Sequence, residues 1–158
     1  MNLFLIRHSI AEYATPDKSD SHRELTLEGK ELMLAGCNLL KKLEPELNLI
    51  LTSPYLRAYQ TAEIIAKSYG NKILLMKENN LAAGCSTGIL LETLSIYDYE
   101  NIAIVGHQPD LSNHISNLTS NGNINLIFSP ASIAKIKFES KLGFGKGKLE
   151  AVLPSSIF

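Results

Sequence analysis

The sequence predicts an α/β protein, a three-layer α/β/α sandwich around a mostly parallel central sheet of about six strands. Two observations carry this. Short apolar runs at Leu3–Ile6 and Leu49–Leu51, with the segment Asn101–Val105, read as buried strands, and segments with apolar residues at helical spacing alternate with them. The tail changes character: Ala134–Phe138 alternates apolar and charged residues. With Leu149–Leu153, across the stretch containing Gly143, Gly145 and Gly147, it reads as a terminal hairpin.

The elements follow in order. Residues 10–25 are polar and broken by Pro16, Asp17, Ser19, Asp20 and Ser21, so they form a loop over the end of the first strand. Thr26 is an N-cap for a helix reaching about Leu43. Its apolar stripe is Leu32, Ala35, Leu39 and Leu43, and Pro45 stops it. After the second strand, Ser53 and Pro54 read as N-cap and first-turn proline of a helix to about Tyr69, with Ala58, Ala62, Ile65 and Tyr69 inward. Gly70 ends it, Lys72–Met76 gives a third strand, and a loop through Asn79 and Asn80 precedes a helix from about Thr87 to Tyr97. The fourth strand ends in Gly106-His107, and Pro109-Asp110 opens a helix through about Leu118.

The length of 158 residues fits one domain, 1–158, with a substantial core. A net charge of -1 supplies no field to gather nucleic acid, and no apolar run is long enough for a signal segment or a membrane span. A cytoplasmic monomer with neither nucleic-acid nor membrane partners is expected. Cys37 and Cys85 lack zinc or redox spacing.

Three predicted strands end in unusual groups: Arg7-His8, Ser53 through Arg57, and Gly106-His107. Ligands of open α/β sheets bind at the carboxyl ends of strands, so these groups converge if the strands are neighbours. The plain alternative leaves Arg7 capping the sheet and His8 as a satisfied loop histidine. Convergence suits phosphoryl transfer, because arginine forks match phosphate oxygens and stabilise the charge spread over them in the transition state. Arg23 adds a third fork from the overlying loop. A neutral His8 serves as nucleophile if a carbonyl holds the proton on its other nitrogen, and His107 then donates to a phosphoryl oxygen. A metal site joining His22 and His114 to the other histidines has no carboxylate or cysteine at ligand spacing, and Arg7 repels a cation. No metal and no cofactor are expected. Asp17, Asp20 and Glu24 read as solvated loop charges, and Glu12 as a surface charge or an arginine-orienting group.

Leu5-Ile6-Arg7-His8-Ser9 resembles the R-H-G signature of the histidine phosphatase (phosphoglycerate mutase-like) superfamily. Ser53-Pro54-Tyr55-Leu56-Arg57-Ala58-Tyr59-Gln60-Thr61-Ala62 resembles its S-P-x-x-R-A-x-Q-T-A element, and Val105-Gly106-His107-Gln108-Pro109 its G-H-x-P element. The short length, Arg23-x-Leu25-Thr26 and Pro130-Ala131-Ser132 make the chain similar to bacterial SixA-type phosphohistidine phosphatases. The resemblance implies Arg7, His8, Arg57 and His107 as the phosphate pocket and His8 as the phosphorylated group. It further implies Arg23 as a phosphate contact and a phosphohistidine-bearing signalling protein, such as a histidine-containing phosphotransfer domain, as partner.

Two positions depart from the pattern. Ser9 replaces glycine, and its hydroxyl is a candidate phosphate donor. Asn80 stands where the family's mutases and monoesterases carry an acid, with Glu78 close by as the alternative. Ser53 and Asn80 complete the candidate substrate contacts. Without an acid, an alkoxide leaves poorly, whereas the imidazole of a phosphohistidine leaves once its distal nitrogen is protonated. The expected activity is therefore phosphohistidine hydrolysis through phospho-His8. A small-molecule phosphomonoesterase is the alternative, and a non-catalytic phosphate-binding module the less favoured one, since recognition alone needs no nucleophile. Mutase activity requires a closed site that a short chain leaves little room for.

Overall fold

The computed structural model describes residues 1–158. Its strands are β1 (Asn2–Arg7), β2 (Leu49–Thr52), β3 (Leu74–Lys77), β4 (Asn101–Gly106), β5 (Ile133–Lys137) and β6 (Lys148–Leu153). The helices are α1 (Leu27–Leu43), α2 (Leu56–Ser68), α3 (Thr87–Leu94) and α4 (Asp110–Thr119). They build one six-stranded sheet of order β3-β2-β4-β1-β5-β6. The first four strands in that order run parallel, and β5 and β6 join as an antiparallel hairpin beside β1.

Alternation along the buried strands divides the core. Leu3, Leu5, Leu49, Leu51, Ile102 and Ile104 face Leu90 and Leu94 of α3 and Leu111, Ile115 and Leu118 of α4. Phe4, Ile6, Ile50, Ala103 and Val105 face Met33, Cys37 and Leu40 of α1 and Ala58, Ala62 and Ile65 of α2. The expected three layers follow, because strands apolar on both faces must be covered on both. No helix is long and apolar enough to cross a membrane.

Thr26 caps α1 as its sequence position indicates, its hydroxyl accepting from the Gly29 N–H at 3.0 Å. The buried stripe differs. Met33, Gly36, Cys37 and Leu40 are buried, while Leu32, Ala35, Leu39 and Leu43 stay half-buried at its margin. The helix is turned by its two small residues: a Cβ on Gly29 would lie 2.1 Å from the Ile10 carbonyl oxygen, and one on Gly36 would lie 2.6 Å from the Phe158 ring. A reading that counts only large apolar side chains misses faces where glycine admits a neighbour.

The second helix also starts later than its Ser-Pro signal suggests. Tyr55 is the N-cap and remains extended, so Ser53 and Pro54 lie outside α2, and the Ser53 hydroxyl is engaged elsewhere. Gly70 ends the segment at a positive φ of 77°.

Candidate active site

Strand order makes the three unusual strand ends neighbours. Arg7 is in register with Gly106 and Thr52 with Val105, and the ladder continues past the strands: His8 N–H donates to Gly106 O at 3.0 Å and Ser53 N–H to Val105 O at 2.9 Å. His8, Ser53 and His107 are thereby fixed by backbone before any side-chain contact forms. Arg57 comes from the first turn of α2 and is only 5% exposed.

His8 is held as a nucleophile must be. Its Nδ1 is 2.8 Å from Ser9 O, and a carbonyl only accepts, so Nδ1 carries the proton and Nε2 the lone pair. Nε2 accepts from Arg57 Nε at 3.2 Å. Burial, with the charges of Arg57, His107 and Arg7 added, pushes His8 down to about 3 against the pull of the Ser9 carbonyl. The ring is neutral at any physiological pH.

His107 stands beside it, ring centroids 5.3 Å apart, with its Nδ1 3.5 Å from Arg57 Nη2 and its Nε2 2.7 Å from Ser53 Oγ. Arginine only donates, so in this state Nδ1 accepts and Nε2–H donates to Ser53. A hydroxyl works in either direction. In the other tautomer, reached by proton exchange with solvent, Ser53 donates to Nε2 and the ring's single proton sits on Nδ1, where it can be donated to an oxyanion beside Arg57. Burial, followed by the Arg57 charge, pushes His107 down to about 4.

The arginines divide their forks. Arg7 Nη1 donates to Phe128 O at 2.9 Å, while its Nε is buried with no partner. Burial holds this guanidinium below its usual pKa, a desolvation cost that an arriving oxyanion relieves. Arg57 Nη1 and Nη2 donate to the carbonyl and the carboxylate of Asp20, at 2.6 and 2.9 Å. Arg23 Nη1 reaches the other Asp20 oxygen at 2.8 Å, and its Nε donates to Glu12 O. Asp20 is thus no solvated loop charge, and Glu12 meets Arg23 through its carbonyl while its carboxylate pairs with Lys18.

Several expected contacts are not formed. The Ser9 hydroxyl is completely buried and donates to Gly29 O at 2.6 Å, so it is spent on α1. Ser53 acts on His107. Asn80 is exposed, and one oxygen of the Glu78 carboxylate accepts from the Asn80 N–H at 3.0 Å, capping a short 3-10 turn. His22 is held by Ser19 at 2.6 Å and lines a surface recess of about 380 Å³ with Tyr55, Leu56 and Lys77. His114 is buried between α3 and α4, Nδ1 2.9 Å from Thr87 Oγ1, remote in bonding from the pocket.

Sequence reasoning missed Asp20 and Tyr55. The Tyr55 ring lies 4.9 Å from that of His107 and 5.0 Å from the Arg57 guanidinium carbon, walling both. Thr61 and Gln60 show what the rest of that element does. Thr61 Oγ1 accepts from Ser9 N–H and donates to Arg57 O, and Gln60 Oε1 accepts from Leu25 N–H. One helix therefore locks the His8 loop and the entry to α1.

The sequence profile of the histidine phosphatase superfamily (branch 1) matches residues 3–82, spanning β1 to the turn after β3. The chain belongs to the histidine phosphatase superfamily. An uncharacterized protein of a Picosynechococcus strain is 36% identical over 115 residues, 70% of this chain and 68% of that one. Among solved structures, the protein histidine phosphatase SixA complexed with tungstate superposes with a TM-score of 0.83 at 24% identity, covering 99% of each chain. A putative phosphohistidine phosphatase SixA from Agrobacterium tumefaciens gives 0.78 at 18% identity over 96% of each chain. The alpha-ribazole phosphatase from Shigella flexneri gives 0.77 at 18%, covering 98% of this chain and 97% of that one. These likenesses establish the phosphoglycerate mutase-like fold. Membership in this phosphatase superfamily supports a hydrolase acting on phosphoryl groups.

The buried histidines of this superfamily member set its response to acid. His8, His107 and His114 are pushed from 6.5 to about 3, 4 and 4, chiefly by burial. Below 6.5 the unfolded chain binds protons that the folded chain refuses, so stability is greatest above that value and falls as pH drops through about 4. Thermal unfolding followed from pH 7.5 to 4 should show a falling Tm, and the variant His114→Gln should flatten that fall without touching the pocket.

Proposed function

We propose that the chain hydrolyses the P–N bond of a phosphohistidine on a protein, through a covalent phospho-His8 intermediate. The observation that carries this reading is the state of the two sides of the pocket. The nucleophile is ready, neutral and correctly tautomeric, while at the position after β3 where an acid is expected the chain presents Asn80, exposed, with the neighbouring Glu78 accepting the Asn80 N–H through one carboxylate oxygen. An alkoxide leaving group needs a proton that Asn80 cannot give, whereas an imidazole protonated on its distal nitrogen departs without help.

In the first step His8 Nε2 attacks phosphorus and the bond to the substrate nitrogen breaks, with Arg7, Arg57 and His107 receiving the equatorial oxygens. Arg23 stands farther out as a contact for the substrate phosphoryl group. Water then cleaves phospho-His8 and releases inorganic phosphate. The partner is a signalling protein bearing phosphohistidine, a class consistent with the SixA neighbours.

The test is phosphate release from phosphohistidine proteins and from small phosphomonoesters, side by side on the purified protein. A higher kcat/KM on the phosphohistidine proteins is expected; faster turnover of the small monoesters sinks the proposal.

A further inference from the structure

Asp20 is the one acidic side chain bonded directly to the phosphate-binding arginines. Its carboxylate takes Arg57 Nη2 at 2.9 Å and Arg23 Nη1 at 2.8 Å, and its carbonyl takes Arg57 Nη1 at 2.6 Å. The Arg57 Nε faces His8 Nε2, so Asp20 occupies the end of the guanidinium remote from the nucleophile. Its side chain is 53% exposed, against 6% for Arg57, which places the carboxylate at the mouth of the pocket. Displacement at phosphorus is in line, so the leaving group departs on the side away from His8, toward that mouth.

We infer that Asp20 is a specificity-determining residue: it yields Arg57 to the incoming phosphoryl group, stays tethered to Arg23, and accepts the distal N–H of the departing imidazole. The inference rests on the P–N reading above. In the step concerned, the His8 Nε2 lone pair forms the new bond to phosphorus, and the P–N electron pair returns to the substrate ring. The ring leaves neutral because its distal nitrogen already carries a proton. A carboxylate bonded to that N–H stabilises the protonated, reactive form, so it raises the substrate's own pKa and extends turnover to higher pH. An alkoxide gains nothing from it. Hydrogen bonding to Arg23, and then to Arg57, holds Asp20 below the usual carboxylate range, so it has no proton to give.

The charged and titratable groups around Asp20 are Arg57 from α2, His107 after β4, and Arg23 and His22 from its own loop, with the Lys18–Glu12 pair behind Arg23. Two other carboxylates lie near this set and each has its own partner: Glu12 is paired with Lys18, and Asp110, which acts on His107, accepts from Gly84 N–H at 2.7 Å. The loop itself is anchored independently of Asp20, by Glu12 N–H to Glu24 O and by Thr26 N–H to Ile10 O.

Asp20→Asn keeps the shape and removes the charge. The probes are N-phosphoimidazole and p-nitrophenyl phosphate, whose phenolate needs no proton. For N-phosphoimidazole, the alkaline limb of kcat, which reports the bound substrate, should move down by about one pH unit, giving about a tenfold loss at pH values above it. Asp20→Glu should restore part of the limb. Turnover of p-nitrophenyl phosphate should rise, since Arg57 loses a competing anion. An equal fall on both probes, or an unmoved alkaline limb, overturns the role of Asp20 alone. Wild-type turnover of p-nitrophenyl phosphate with none of N-phosphoimidazole or a phosphohistidine peptide overturns the P–N reading and the inference with it.

Discussion

His8→Ala should remove phosphate release, with kcat falling by at least about 10⁴-fold, because the covalent route has no other nucleophile in reach. His107 lacks the carbonyl that fixes the His8 tautomer, its Nε2 being paired instead with the Ser53 hydroxyl. The fold should survive, since His8 is held by main-chain bonds to Gly106 and Ala131 that alanine retains. Rapid quenching with labelled substrate should trap an acid-labile, base-stable phosphoenzyme in the wild type and none in the variant. Calorimetry with inorganic phosphate should give similar binding to the wild type and the variant, since the arginines remain. A phosphoenzyme burst that survives in His8→Ala places the nucleophile elsewhere.

Arg57→Lys should cost about 100- to 1,000-fold in kcat/KM, although the charge is kept, in line with the loss of an oriented oxyanion donor. One guanidinium meets His8 through Nε, Asp20 through both terminal nitrogens and His107 through Nη2. An ammonium is a single point and reaches one of these at a time. The loss should fall mainly on kcat, because orienting His8 matters in the transition state. If Arg57→Lys instead raises KM and leaves kcat unchanged, Arg57 only binds.

Much of this was legible in the sequence because the information is local. The runs at Leu3–Ile6, Leu49–Leu51 and Asn101–Val105 state their own burial, and Thr26 states its cap. The convergence of Arg7, His8, Arg57 and His107 needs only the strand order to become a pocket. What escaped reading depends on partners far away in the chain. Asp20 lies in a stretch whose composition says solvent, and only folding sets it on Arg57, 37 residues away. Ser9 and Ser53 are right in place but wrong in aim, because side-chain direction is decided by Gly29 O and His107. The rotation of α1 escaped because an inward glycine leaves no hydrophobic mark.

The hairpin half of the sheet touches the pocket in a different language. Phe128 O receives Arg7, Ser132 O receives the Arg7 N–H, and Ala131 N–H donates to His8 O from a left-handed turn of φ 64°. All three supports are main-chain atoms. Natural selection acting on this half is therefore free to exchange many side chains and bound to keep the path of the backbone. Relatives should differ freely in letters there while agreeing in trace, so that a one-residue insertion before Ser132 does more harm to the pocket than several substitutions.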